Sequence, residues 1–244
     1  MIRELVHNFD KTNHVIMPGM EKYPGIIEIT GKNNSIICAG QILGTSPHIR
    51  IGQSGGAYTR APENCVIFIG EGVSFGRNVS LFVAEHSTLI YIGKHSMFSW
   101  NIEMWATDSH SVIDLEGNLL NRGKYISIDK HCWIGRSAQV NKNSIVSKNS
   151  IVGNGAIVAK RFFEGNVAIG GNPAKILKSG INWDEQPVNV YEENRQPIVR
   201  RHKSFLNKEE LIYLFAKLDV IASYHKDKNI DHIVNLIRDE YSYA

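Results

Sequence analysis

The chain has little of what would place it in several common protein classes. Its three cysteines, Cys38, Cys65 and Cys132, show neither CxxC nor zinc-type spacing, which argues against a disulfide scaffold or a zinc ribbon. No apolar run approaches the ~18 residues that a membrane helix needs. The 27 basic and 24 acidic residues leave a net charge of +3, which does not indicate nucleic-acid binding. We therefore expect an intracellular protein without disulfides.

The residues that are abundant suit strands and tight corners. Ile outnumbers Leu 31 to 13, and the chain has 21 Gly and 21 Asn among its 244 residues. β-Branched side chains favour pleated strands, while Gly and Asn tolerate the positive φ of sharp turns. The composition predicts an all-β body.

A six-residue repeat runs through the second half of the sequence. In steps of six from Ile128, every position is a large aliphatic residue, and the position four places later is small. The aliphatic set is Ile128, Ile134, Val140, Val146, Val152 and Val158, and the small set is Cys132, Ala138, Ser144, Ser150 and Ala156. This period is neither that of a helix nor that of a plain strand. It predicts a parallel β-helix, with three short strands per coil and coils stacked about 4.8 Å apart.

The repeat and its interruptions predict three regions. Residues 51–180 form the β-helix, and residues 111–124 form a loop that leaves one face of it. Residues 1–50 supply an N-terminal cap and the first strands. Residues 181–244 supply a linker and helices, because Asn207 and Glu210 have the spacing of a capping box before an amphipathic run. A second helix is predicted from Asp231, and the helix pair either caps the open end of the β-helix or packs on a neighbouring subunit.

The repeat and two further segments resemble a known family. The hexads end in AIGGNPAK at residues 168–175, as in many hexapeptide-repeat acyltransferases. The sequences ATDSHS at 106–111 and HCWIG at 131–135 are similar to bacterial capsular polysaccharide O-acetyltransferases of the polysialic-acid type. The resemblance covers residues 51–178. It implies a left-handed β-helix and an acetyl-CoA-dependent O-acetyltransferase, which acts as a homotrimer with the cofactor in the groove between subunits. It also implies a cytoplasmic protein, with the inner face of the membrane beside the polysaccharide assembly machinery as an alternative location.

Within this resemblance, His110 and Trp133 are the candidate catalytic residues. An imidazole suits a general base at neutral pH, and a sugar hydroxyl needs one because the protonated alcohol is a poor nucleophile. The alternative for His110 is an ordinary surface-loop histidine. Trp133 takes the outward place of its hexad, where its indole N–H would hold the acceptor or the developing oxyanion. Its alternative role is to cover a neighbouring subunit.

Coenzyme A contacts are expected near the end of the repeat. Ala138 and Ala156 are small residues stacked at one corner, where a pantetheine arm can lie against the backbone. Lys160, Arg161, Pro173 and Lys175 complete the predicted cofactor set, with the basic side chains near the phosphates. No metal is expected. The β-helical carbonic anhydrases resemble this fold and use two histidines five residues apart, but the positions five residues from His110 are Trp105 and Leu115.

Two rival functions remain open at this point. A sugar-nucleotide N-acyltransferase of the same fold would use His110 on an amine, but residues 1–50 show neither GxGxxG nor the strand–helix alternation of a nucleotide-binding unit. A non-enzymatic β-helical scaffold would explain the hexads but not the polar segment from Asp108 to His110. The acceptor itself cannot be identified from the sequence.

Overall fold

The computed structural model describes residues 6–7, 10–17, 25–45, 47–52, 61–198 and 202–242. The strands form three seven-stranded sheets, and each coil adds one strand to each sheet in turn. Sheet 1 contains β1 (Val6–His7), β3 (Ile27–Ile29), β6 (His48–Ile51), β9 (Val79–Val83), β12 (Ile102–Trp105), β15 (Gln139–Asn141) and β18 (Ile157–Val158). Sheet 2 contains β2 (His14–Ile16), β4 (Ser35–Cys38), β7 (Val66–Ile69), β10 (Leu89–Ile92), β13 (Ile126–Ile128), β16 (Ser144–Val146) and β19 (Arg161–Phe162). Sheet 3 contains β5 (Leu43–Gly44), β8 (Ser74–Phe75), β11 (Met97–Phe98), β14 (Trp133–Ile134), β17 (Ile151–Val152), β20 (Val167–Gly170) and β21 (Lys175–Ser179).

The predicted parallel β-helix is confirmed. The pairs within the three sheets are parallel, except that β21 turns back antiparallel against β20. All six aliphatic hexad residues, and all five small ones, are fully buried in the coil interior. The expected class, an all-β parallel β-helix with a C-terminal helical extension, is therefore the fold of this chain, and its left hand stays what the resemblance implies. The division at residues 50 and 180 stays a prediction, and the sheets begin before residue 51.

The corners of the coil explain the abundance of asparagine. Several corner positions have a positive φ, which L residues other than Asn and Asp rarely adopt. Asparagines that have it are Asn33, Asn64, Asn78, Asn101, Asn143, Asn149 and Asn166. Each sharp corner lets the next strand begin on another face of the coil. The abundance of Asn and the coiled fold therefore both follow from the positive φ that these corners require.

The C-terminal helices cover sheet 2 rather than an end of the coil. The structure has α1 (Val188–Asn194), α2 (Lys208–His225) and α3 (Lys228–Tyr241). The capping box at Asn207 and Glu210 is confirmed. The prediction that the second helix starts at Asp231 was wrong by one turn, because the Asp227 side chain accepts from the backbone N–H groups of Asn229 and Ile230 and caps the helix there. The sequence had not predicted α1, which lies in the expected linker.

The helices are held by an apolar layer and by buried hydrogen bonds. Outward-facing residues of sheet 2 pack against α2 and α3, and both helices contribute fully buried side chains such as Leu218 and Ile233. The Tyr241 hydroxyl donates to Glu71 Oε2 at 2.6 Å, and the Tyr91 hydroxyl donates to the Glu240 carboxylate at 2.8 Å. Sheet 2 is thus closed by the chain's own helices. Among the described residues, none of the helices has the length and hydropathy of a bilayer crossing.

Candidate active site

His110 lies on a loop that leaves the corner between sheet 1 and sheet 2. This loop, residues 106–125, joins β12 to β13 and is called the His110 loop below. His110 is exposed, and none of the described residues forms a hydrogen bond with its imidazole. Its backbone is fixed instead, because its N–H donates to Asp108 O at 2.7 Å and its carbonyl accepts from Asn121 Nδ2 at 2.8 Å. The imidazole therefore projects from an anchored backbone with both ring nitrogens available.

The neighbouring coil holds the base of this loop through an ion pair. Lys142 Nζ lies 2.6 Å from Asp108 Oδ2 and donates to Asn121 O at 2.6 Å. Asn121 Nδ2 also donates to Asp108 Oδ2 at 2.8 Å. Partial burial raises the pKa of Asp108, but the hydrogen bonds from Lys142 and Asn121 outweigh that effect and hold the pKa below its ordinary value. Asp108 is therefore an anion at neutral pH, and it orders the segment that carries His110.

The tip of the His110 loop is rigid and apolar. Asp114 accepts from the Asn118 backbone and side chain at 2.7 and 2.9 Å, and Ile113 pairs with Leu119 across a short antiparallel bridge. The large apolar side chains at the tip face solvent in the single chain: Val112, Ile113, Leu115, Leu119 and Leu120. An exposed apolar group of this size is typical of a contact surface.

Trp133 lies in a groove on sheet 3. The half-buried indole donates its N–H to Ser99 Oγ at 3.2 Å. A cavity of about 550 Å³ runs past it over three neighbouring strands, and its lining includes Ser74, Met97, Ser99, Trp100, Trp133, Arg136 and Asn154. This volume is within the range of small-molecule sites. The groove combines an apolar wall with a cationic side chain, as an extended acyl carrier with phosphates requires.

Trp183 is a neighbour of this groove that the sequence did not reveal. It belongs to the segment after β21 that was expected to be irregular linker. Its ring stacks on His131 with centroids 4.5 Å apart, its Nε1 donates to His131 O at 2.9 Å, and its centroid is 6.0 Å from that of Trp133. The one signal for Trp183 in the sequence is that a large aromatic residue occurs within an otherwise polar linker. The linker thus folds back beside Trp133.

The two candidate catalytic residues lie on different faces of the coil. His110 leaves the corner between sheets 1 and 2, whereas Trp133 begins a strand of sheet 3. In a three-sided coil, that corner lies opposite sheet 3. One chain alone does not bring the two side chains into a common groove, so a site that uses both needs two copies of the chain.

The predicted cofactor residues are scattered. The side chains of Ala138 and Ala156 are fully buried, and their backbone N–H groups already donate to Gly135 O and Gly153 O at 3.2 Å. Lys160 is exposed over the Phe162 ring, and Arg161 faces outward from sheet 2, bonded to Asn143. Pro173 and Lys175 are exposed at the end of sheet 3. None of the six lines the Trp133 groove, which is lined instead by Arg136 and Asn154. The hexads mark these two residues only as the positions after Gly135 and Gly153.

The three cysteines are poor candidates for a nucleophile. Cys38, Cys65 and Cys132 are free and buried. Burial raises the pKa of all three thiols, that of Cys65 to about 11, so they are protonated and poor nucleophiles at neutral pH. Within the described ranges, no cluster of three or more His, Cys, Asp or Glu side chains is suited to a metal ion.

Comparison with known proteins finds relatives that share one kind of activity. A polysialic acid O-acetyltransferase of Neisseria meningitidis is 32% identical over 170 residues, which are 64% of this chain and 78% of that protein. Among solved structures, the polysialic acid O-acetyltransferase OatWY is 23% identical with a TM-score of 0.47, over 78% of this chain and 93% of its own. The polySia-specific acetyltransferase NeuO is 22% identical with a TM-score of 0.47, over 88% and 99%. No family model matches the chain.

Proposed function

The chain belongs to the polysialic acid O-acetyltransferase family and is an acyltransferase, and we propose that it moves an acetyl group from acetyl-CoA to a sugar hydroxyl. The proposed acceptor is a bacterial surface sugar or polysaccharide of the capsular or lipopolysaccharide kind. The observation that carries the proposal is His110, an exposed imidazole on an anchored loop in a chain of this family. We propose a cytoplasmic location, where acetyl-CoA is made and used.

In this mechanism His110 acts as a general base. The imidazole takes the proton of the acceptor hydroxyl while that oxygen attacks the thioester carbonyl of acetyl-CoA. The new C–O bond forms as the C–S bond breaks, and the proton passes to the departing sulfur of coenzyme A. Transfer is direct, without an acyl-enzyme, since the three thiols of the chain are buried and protonated.

The Trp133 groove is the proposed seat of acetyl-CoA. Its apolar wall at Met97 and Trp133 suits the pantetheine arm, and Arg136 supplies charge for a phosphate. Three residues exposed at the C-terminal end of the coil remain proposed contacts for the nucleotide part of coenzyme A: Lys160, Pro173 and Lys175. The proposed contribution of Arg161 is its positive charge near the phosphates of the cofactor. Ala138 and Ala156 are buried, so their proposed contribution is to close the coil against which the cofactor lies.

We propose a homotrimer in which each site is shared by two chains. The face separation of His110 and Trp133 supports this, because a neighbouring chain is needed to bring one to the other. The apolar tip of the His110 loop supports it as well, since Leu115 and its neighbours need cover. The loop of one chain would then reach the groove of the next.

The test of this function is an acceptor screen. Release of the coenzyme A thiol is measured with acetyl-CoA and fragments of capsular or lipopolysaccharide sugars, together with an amino-sugar nucleotide as comparison. The proposal expects acceptor-dependent thiol release with hydroxyl acceptors and an ester product in the mass spectrum. An amide product with the amino sugar would favour the N-acyltransferase. Failure to bind coenzyme A in a mass-spectrometric assay would favour a scaffold.

A further inference from the structure

Glu85 is a half-buried carboxylate that contacts both ends of the His110 loop. It lies at the corner between β9 and β10, one coil away from the loop. Glu85 Oε1 accepts from Thr107 Oγ1 at 2.6 Å, and Oε2 accepts from the Gly123 backbone N–H. One side chain thus joins the first residues of the His110 loop to the last residues of the same loop. We propose that Glu85 is a positioning residue that fixes His110 for catalysis, an inference that rests on the proposed function.

The path from Glu85 to His110 is short. Thr107 donates its hydroxyl to Glu85 and accepts the Ser109 N–H on the same oxygen at 2.9 Å. Ser109 has a φ of 64°, a conformation that is unfavourable for a residue with a side chain and is kept only where contacts hold it. His110 follows directly, so a change at the Thr107 hydroxyl alters the direction in which the chain enters His110.

The pairing needs a carboxylate and a glycine. Two donors converge on Glu85, and only an ionised carboxylate accepts at both oxygens without presenting a donor of its own. At Gly123, a Cβ would lie 2.8 Å from the Glu85 carboxyl carbon, so the close approach of the loop's exit depends on the missing side chain. Glu85 and Gly123 are therefore both suited to this contact, and few other residues could take the place of either one.

His110 depends on this support because, in the part of the chain that the structure describes, its imidazole has no hydrogen-bond partner of its own. Lys142 anchors the loop from the coil on the other side, through Asp108 and the Asn121 carbonyl, and Asn121 within the loop donates to the His110 carbonyl. Without Glu85, the loop keeps that one anchor and loses the other. A general base displaced by about 1 Å loses on the order of 10²-fold in rate.

The experiment compares Glu85→Gln and Glu85→Ala with the matched control Glu116→Gln. Glu116 lies at the exposed loop tip, so this control removes the same charge without touching the clamp. We expect kcat to fall about 10-fold to 10²-fold in Glu85→Ala and less in Glu85→Gln. The KM for acetyl-CoA should stay within about twofold of wild type, because the positioned base acts on the acceptor hydroxyl and not on the cofactor. Amide exchange at Ser109 and Gly123 should accelerate, while that of Met104 in the adjacent strand stays slow.

A double-variant cycle separates positioning from a general structural role. In a His110→Ala background, Glu85→Ala should cause no further loss of turnover, since the group that it positions is gone. A full additional loss in that background would overturn the inference, and so would unchanged exchange at Ser109. Wild-type turnover in His110→Ala alone would be a failure of the proposed base itself and would remove the positioning role with it. An equal loss of kcat in Glu116→Gln would mean that the removal of a negative charge causes the effect, and not the loss of the Glu85 contacts. It would overturn the inference.

Discussion

Complementation between two inactive variants tests whether each site is built from two chains. His110→Ala removes the base from one face, and Trp133→Ala removes the indole from the other. His110→Ala should be nearly inactive, because a positioned base contributes about 10²- to 10⁴-fold in rate. Trp133→Ala should also lose turnover, because one oxyanion donor contributes about 10²- to 10³-fold. Every mixed trimer, whichever variant it holds twice, has one site of its three that joins an intact His110 to an intact Trp133 of the neighbouring chain. Mixed trimers selected through both chains should therefore recover about a third of the wild-type turnover.

The assay is co-expression with two different affinity tags and purification through both, followed by thiol release from acetyl-CoA. The control is the double variant, His110→Ala with Trp133→Ala on one chain, co-assembled with itself, which cannot regain activity. If the mixture is no more active than its two components, the site lies within one chain, and the reasoning from the faces of the coil is wrong. A monomer by light scattering under active conditions would contradict it as well.

Three further changes have defined outcomes. Leu218→Ala, at a fully buried position, should lower the free energy of unfolding by roughly 2–5 kcal/mol in urea titration, while Ile212→Ala, 60% exposed, should change it by less than about 0.5 kcal/mol. Because the folded pKa of Asp108 is lowered, its ion pair with Lys142 is present above the ordinary Asp pKa and is lost as pH falls through the folded value. The protection factor of the Val112 amide, which donates to Asn121 Oδ1 at 2.7 Å, should hence stay unchanged from pH 5 to 8, and loss of protection near pH 6 would contradict this. Cys132→Ala should keep most activity at a cost in stability, whereas inactivation together with a normal melting temperature would reveal a chemical role for the thiol.

The coil could be read from the sequence because its geometry repeats locally. Each aliphatic residue from Ile128 to Val158 meets the same inward environment, so six identical requirements leave a pattern that a single strand would not. The asparagines at positive φ have a local cause as well. The capping box at Asn207 was visible for the same reason, since both partners lie within one turn of helix.

Features that depend on distant contacts could not be predicted this way. The packing of α2 and α3 on sheet 2 depends on outward residues such as Phe68 and Tyr91, and hexads that specify the interior carry no signal for an outer face. Glu85 meets Gly123 across 38 residues, and Trp183 meets His131 across 52. The cofactor set was predicted from small and basic residues near the end of the repeat. The groove beside Trp133 follows instead from which face each strand occupies.

Turnover of His110→Ala, with coenzyme A binding followed in parallel, tests directly whether His110 is the base. We expect a loss of about 10²- to 10⁴-fold in kcat, because the acceptor hydroxyl has lost its base. Coenzyme A binding should be nearly unchanged, since His110 acts on the acceptor hydroxyl and is not among the residues that line the proposed coenzyme A groove. Near-wild-type turnover in this variant, or an acetyl-cysteine trapped during the reaction, would contradict direct transfer by His110.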